Sequence, residues 1–219
     1  MGVETLKSLY RFDLAEGTMS EGFLAGVDEA GRGPLAGPVV AAAVLFRAFP
    51  AGSGNGVWKA LSDLNDSKQL TARQREHLFP FISRYARVGI GTVHEREIDT
   101  LNIFQATRLA MRKAVLNLTC TPRLLLVDGK NMKIDLPLPQ KSVIGGDRKS
   151  ACIAAASVIA KVVRDAWMQS LDTLYPGYHF SRHKGYGTRE HLACLERLGP
   201  SPVHRQSFAP VRACAGASA

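Results

Sequence analysis

The chain predicts an α/β domain, helices packed against a mixed central β-sheet, with a helical segment at its carboxyl end. Three observations carry this. Two β-rich runs, "FLAGVD" (23–28) and "VVAAAVLF" (39–46), come first and are joined by a Gly/Pro-rich connection. "RLLLVD" (123–128) is a continuous apolar run, the mark of a strand covered on both faces. The stretch 149–174 reads as a long alanine-rich helix ended by Pro176-Gly177.

Taken in order, residues 1–20 are polar and are expected to form a loosely held arm. The first two runs make a hairpin, and "AGSGNG" (51–56) is a plain loop. Thr71 with Gln74 three residues later is a capping-box signal for a helix over 71–79, which Pro80 is expected to kink or end. "ARVGIGTV" (86–93) alternates as a strand. Asn102 and Gln105 repeat the cap spacing before "ATRLAMRKAVLNL", whose apolar residues recur at helical intervals. A short strand follows near "KSVIGG", then the long helix, then a last helix from Thr188 stopped by Gly199-Pro200. The domain is therefore drawn at 21–210, between the arm and a tail at 211–219.

Composition narrows the function. With 219 residues, 46% apolar and 21% charged, the chain can bury a proper core. Its net charge of +9 is uneven, since residues 148–219 hold ten Lys/Arg against four Asp/Glu. Such a surface favours a polyanionic partner, nucleic acid before anionic membrane. Cys120, Cys152, Cys194 and Cys214 form no C-x-x-C pair, which argues against a zinc site or a disulfide framework and fits a reducing cytoplasm. The N-terminus has no apolar signal region, and the longest apolar run, 39–46, is too short to span a bilayer.

Acids recur where strands end. Asp28 and Glu29 close the first strand, Asp128 closes "LLLV", and Asp147 ends a short extended run before the long helix. Brought together they would repel one another unless a cation neutralised them, and an oxygen-only set suits Mg²⁺ or Mn²⁺ rather than zinc. Each also has an ordinary structural reading: Asp128-Gly129 as a hairpin turn, Asp147 as a helix N-cap, Glu29 as a solvated side chain. Beside the first pair, Gly31 and Gly33 flank Arg32, so backbone amides and a guanidinium can approach a phosphodiester or a sugar hydroxyl. "SRHKGYG" (181–187) sets Tyr186 among the cations Arg182, His183 and Lys184, a pairing suited to stacking on a sugar or base. Lys68 in "DSK" and Lys161 in the long helix are further candidate phosphate contacts.

These motifs lie in an ordered series: "GVDEAGRGPLAGPVVAAAV", "DSKQL", "IDTLNIFQAT", "LLLVDG", "GGDRKSACIAAASVIAKVVRD", "YPGYHFSRHKGYGT" and "HRQSFAP". The series resembles the type 2 ribonucleases H, in particular the bacterial ribonuclease HII family, over roughly residues 23–210. The resemblance implies an RNase H-like fold. It implies an endonuclease that hydrolyses the RNA strand of RNA–DNA hybrids. It also implies nicking 5′ of single ribonucleotides in duplex DNA, leaving 3′-hydroxyl and 5′-phosphate ends. Catalysis would be of the two-metal kind, on Mg²⁺ or Mn²⁺ held by Asp28, Glu29, Asp128 and Asp147. Gly31, Arg32 and Gly33 would read the 2′-hydroxyl, and Tyr186 the sugar that follows. The implied partners are nucleic acid alone, with no membrane, for a cytoplasmic monomer. Two features are individual to this chain: Arg148 after the fourth acid, and the loop "GKNMKIDLPLPQ" (129–140).

Two other classes share some of these features. A phosphotransferase of the actin and sugar-kinase type needs Gly-rich phosphate loops on two hairpins, and one such loop is present. A non-catalytic nucleic-acid-binding module would leave the four acids unexplained, because carboxylates oppose a polyanion.

Overall fold

A computed structural model describes residues 2–17, 24–46 and 56–215. The expected hairpin is β1 (Leu24–Ala30) and β2 (Val39–Phe46), paired antiparallel with Val27 opposite Ala43. β3 (Ala86–Val93) continues antiparallel along the outer side of β2. β4 (Leu124–Asp128) joins the other side of β1 in parallel, and β5 (Gln140–Val143) pairs parallel with β4. The order β3-β2-β1-β4-β5 is a mixed five-stranded sheet, as expected.

Helices cover both faces. On one lie α1 (Gly2–Glu16), α3 (Ala72–Tyr85) and α6 (Ala151–Leu174), with the short α2 (Gly56–Ala60) beside them. α5 (Ile103–Leu116) covers the other, entered through α4 (Glu95–Leu101). β4 shows why an apolar run without alternation marks a central strand: Leu126 packs toward α6, while Leu125 and Val127 pack toward α5. Every residue from Ala151 to Ala160 is buried. Alanine allows that close approach, and Gly26 on β1 completes it, because a Cβ there would strike the Cys152 backbone. The carboxyl end adds α7 (Phe180–His183), α8 (Arg189–Leu198) and α9 (Ala209–Ala215). Among the described residues no helix is long and apolar enough to cross a membrane.

The caps follow the sequence. Thr71 and Gln74 form a reciprocal capping box, Asn102 accepts from the amides of Phe104 and Gln105, and Thr188 accepts from the amide of His191. Three expectations need correction, and one alternative reading, the Asp128-Gly129 turn, falls away. Residues 2–16 are helical rather than a loose arm: Leu6 and Leu9 are buried against α6, worth about 3 kcal/mol or more together. Pro80 does not end α3, which runs on to Tyr85. Asp128-Gly129 makes no hairpin turn, because β4 and β5 are parallel. α9 occupies the start of the expected tail, and α2 begins at Gly56; residues 51–55 of the expected loop, 18–20 of the arm and 216–219 of the tail lie outside the described residues.

Candidate active site

The register of β1 and β4 sets Val27 opposite Val127, so Asp28 and Asp128 follow at the same end of two adjacent parallel strands. Asp147 is not at a strand end. It sits in a 3-10 turn, Gly146–Arg148, between β5 and α6, and is not the helix cap either, since Ser150 accepts from the amide of Ile153. The turn is tied to β4 by the Gly146 amide, which donates to Asp128 Oδ1 at 2.6 Å. Asp28 Oδ1 accepts from the Glu29 amide at 2.8 Å.

The acids feel one another. Burial and then the charges of Glu29, Asp128 and Asp147 push the Asp28 carboxyl well above its ordinary range, against the hydrogen bond from the Glu29 amide. Burial also raises Glu29, although Arg32, 3.3 Å away, pulls it back. Asp147 is raised by burial and by Asp66 and Asp128. Burial of the Lys68 ammonium opposes its charge, but Asp147, Asp28, Asp66 and Asp128 outweigh that and raise it. Three carboxyls raised at a single edge mark a place that favours added positive charge. Their all-oxygen chemistry fits a hard divalent cation. Among the described residues no three His, Cys, Asp or Glu are already gathered so that they could hold a metal ion between them.

Beside the acids opens a cleft of about 440 Å³ whose lining includes Glu29, Gly31, Arg32, Gly33, Lys68, Lys161 and Tyr186. These come from four separate stretches of the chain. The Tyr186 ring stands over Gly33, where a Cβ would meet it at 3.6 Å, and 46% of the residue is exposed. Lys161 is paired with Asp165 at 2.6 Å, and burial lowers its pKa despite that partner. Lys184 is not part of this lining; its carbonyl accepts from Arg164 at 3.0 Å.

Sequence reasoning missed the supports of the cleft. Arg205 is fully buried, and it donates to the carbonyls of Gly31 at 2.6 Å, Arg32 at 2.9 Å and Gly37 at 2.8 Å. Arg164, 1% exposed, donates to the carbonyls of Ala36, Pro38 and Lys184. Gly31, at φ +96°, leaves room for the Arg164 side chain that any Cβ would strike. The Leu35 amide donates to the Gly185 carbonyl at 2.8 Å, so the glycine loop and the Tyr186 segment are braced as a unit. Asp66, two residues before Lys68, is buried, and its charge helps to raise the Asp147 carboxyl. In the sequence a buried arginine looks like a surface one. The only signal was their place inside the motif blocks.

Acids carried on adjacent strands beside a cationic, glycine-edged cleft, in a mixed five-stranded sheet flanked by helices, match the RNase H-like class of nucleic-acid hydrolases. The structure of ribonuclease H2 from Pyrococcus horikoshii OT3 has this fold, with a TM-score of 0.71, 24% identity, and coverage of 89% of this chain and 97% of that one. The family model "Ribonuclease HII" matches residues 25–211. Ribonuclease HII of Geobacillus kaustophilus is 55% identical over 86% of this chain and 69% of its own length. That of Enterococcus faecalis is 46% identical over 95% and 78%. The chain belongs to the ribonuclease HII family.

Proposed function

We propose that this enzyme, an endonuclease acting on the RNA of RNA–DNA hybrids, also nicks duplex DNA on the 5′ side of single embedded ribonucleotides. The observation that supports the reading is the cleft itself, in which Glu29, the Gly31-Arg32-Gly33 loop and the Tyr186 ring meet. Asp28, Glu29, Asp128 and Asp147 would hold divalent metal, Mg²⁺ or Mn²⁺, which when bound supplies charge stabilisation to the scissile phosphate and activation of water.

The remaining tasks fall to this chain's own groups. Arg32 and Lys68 face the cleft as cations for the phosphates on either side of the cut. Lys161, held by Asp165, is a further phosphate contact, and Lys184 serves the strand outside the cleft. Arg205 fixes the loop carbonyls inward, which leaves the remaining polar backbone groups of Gly31, Arg32 and Gly33 free for a 2′-hydroxyl, the group that separates RNA from DNA. The Tyr186 ring packs against the next sugar, where a 2′-oxygen would crowd it. The loop thus requires ribose and the ring prefers deoxyribose, so together they read a junction.

The test is cleavage of duplex DNA carrying one ribonucleotide, with product ends mapped. Cutting 5′ of the ribonucleotide, leaving 3′-hydroxyl and 5′-phosphate ends, is expected with Mg²⁺ or Mn²⁺ and is lost with chelator. Cleavage of uniform hybrid alone would remove the junction reading.

A further inference from the structure

Beneath the Tyr186 segment runs a buried line of histidines for which the hydrolytic chemistry has no use. His191 and His204 have no exposed surface and His183 is 8% exposed. The His183 and His191 rings stack with centroids 4.4 Å apart. His191 Nδ1 lies 2.9 Å from the Tyr186 carbonyl oxygen, and its Nε2 lies 3.0 Å from His204 Nε2. His204 Nδ1 in turn meets the Ser201 amide at 2.9 Å and the Ser201 hydroxyl at 2.8 Å.

The ends of this line dictate where the protons sit. A backbone N–H can only donate, so His204 Nδ1 turns a lone pair toward Ser201. Neutral His204 therefore carries its proton on Nε2 and donates it to His191 Nε2. His191, accepting there, carries its own proton on Nδ1 and donates to the Tyr186 carbonyl. His183 follows the same rule: the Gly185 amide donates to its Nδ1 at 3.2 Å, so its Nε2–H donates to the Tyr178 carbonyl. Burial lowers the pKa of all three rings, which keeps them neutral.

We propose that the His191–His204 pair is a positioning device for substrate discrimination, which holds the Tyr186 carbonyl so that the ring stays over Gly33. His191 touches no substrate; it acts through Tyr186. The proposal rests on the junction-reading role of Tyr186 given above.

Two substitutions separate a directed hydrogen bond from mere packing. An Asn amide nitrogen reaches the place of the imidazole Nδ1, and a Gln amide reaches the place of Nε2. His191→Asn keeps the donor to Tyr186, whereas His191→Gln contacts His204 and leaves the carbonyl without it. The readouts are the kcat/KM ratio between single-ribonucleotide duplex and uniform hybrid, and amide exchange over residues 184–188. His191→Gln is expected to lower the ratio roughly three- to tenfold and to speed exchange, and His191→Asn to restore both. Equal losses in the two variants, or unchanged exchange in His191→Gln, would overturn the proposal. Tyr186→Ala is measured alongside. If it loses the ratio and His191→Gln does not, the histidine pair is not a positioning device. If neither loses it, the reading of Tyr186 has failed, and the role of the pair in discrimination goes with it. Nitrogen chemical shifts of the wild-type rings need no variant to fold: His191 protonated on Nδ1 and His204 on Nε2 are expected, and the reverse at either ring overturns the proposal.

Discussion

Asp28 lies beside Asp128 because the strands that carry them run parallel in register, with Val27 opposite Val127 one step earlier. A hundred residues of chain separate the two acids, and their charges are nonetheless close enough to raise the Asp28 carboxyl. An arrangement that is unfavourable in the bare protein is the expected state of a site built to receive cations and a phosphate. Function and stability pull against each other at this edge.

Asp128→Asn should therefore separate them. The amide oxygen can still accept from the Gly146 amide, and the repulsion on Asp28 is relieved. In metal-free protein at pH 7 we expect a gain of about 1 kcal/mol, read as a rise in melting temperature of roughly 2–4 °C. Hybrid cleavage should vanish while hybrid binding persists. Turnover at the wild-type rate in Mg²⁺ would exclude Asp128 from the metal site.

Tyr186→Ala should lose rate and preference at ribonucleotide junctions, because the ring against the following sugar is gone. Divalent-ion binding, followed by titration calorimetry, should survive. A variant that cuts single-ribonucleotide duplex as well as wild type would contradict the assignment.

Arg205→Met removes the donors to three carbonyls, the buried ones of Gly31 and Gly37 and the part-buried one of Arg32. Leaving such groups unmet costs roughly 3 kcal/mol or more. Urea denaturation should show that loss, and discrimination between RNA and DNA should fall further than activity as the loop slackens. Arg205→Lys restores part of the stability only, since an ammonium cannot span three acceptors in one plane.

Two buried groups give the stability opposite dependences on pH. His204 is pushed down to about 4, by burial and by His191, so the folded protein refuses a proton that the unfolded chain takes up. That contribution is present above the ordinary histidine range and is lost as pH falls toward 4, up to roughly 3 kcal/mol. Asp13, on α1, is raised to about 6 by burial, although its Oδ2 accepts from the Cys152 amide at 3.0 Å. Its effect has the other sign: stability is lost as pH rises from about 4 to 6. Asp13→Asn should raise the melting temperature at pH 7 and remove the part of the loss between pH 4 and 6 that Asp13 contributes, leaving that of the raised carboxyls at the site. Parallel profiles for variant and wild type would show that Asp13 does not titrate in this range.

Much of this fold could be read along the chain. Thr71 with Gln74, Asn102 and Thr188 announce their helices through hydrogen bonds made within three residues, and such contacts are written in consecutive sequence. The apolar run of β4 announced burial on both faces. α1 was misjudged because Leu6 and Leu9 are few among polar neighbours, and the face that buries them belongs to a helix far along the chain. α3 does not end at Pro80 because the local steric penalty gives way to packing of Leu78 and Ile82 on either side.

The sequence by itself determined which chemistry was possible: four acids, a glycine-flanked arginine and a tyrosine beside Arg182 and Lys184, placed by local pattern at strand ends or in loops, although Asp147 proved to lie in a 3-10 turn and His183 to be buried. Only the tertiary structure decided that these meet, which of them line the cleft, and that Lys184 stands outside it. It alone decided that Arg164 and Arg205 are braces rather than surface charges and that the charge of Asp66 acts on Asp147. The physical reason is that burial and charge–charge coupling depend on distance in space, and strand register brings together residues that the sequence holds a hundred positions apart.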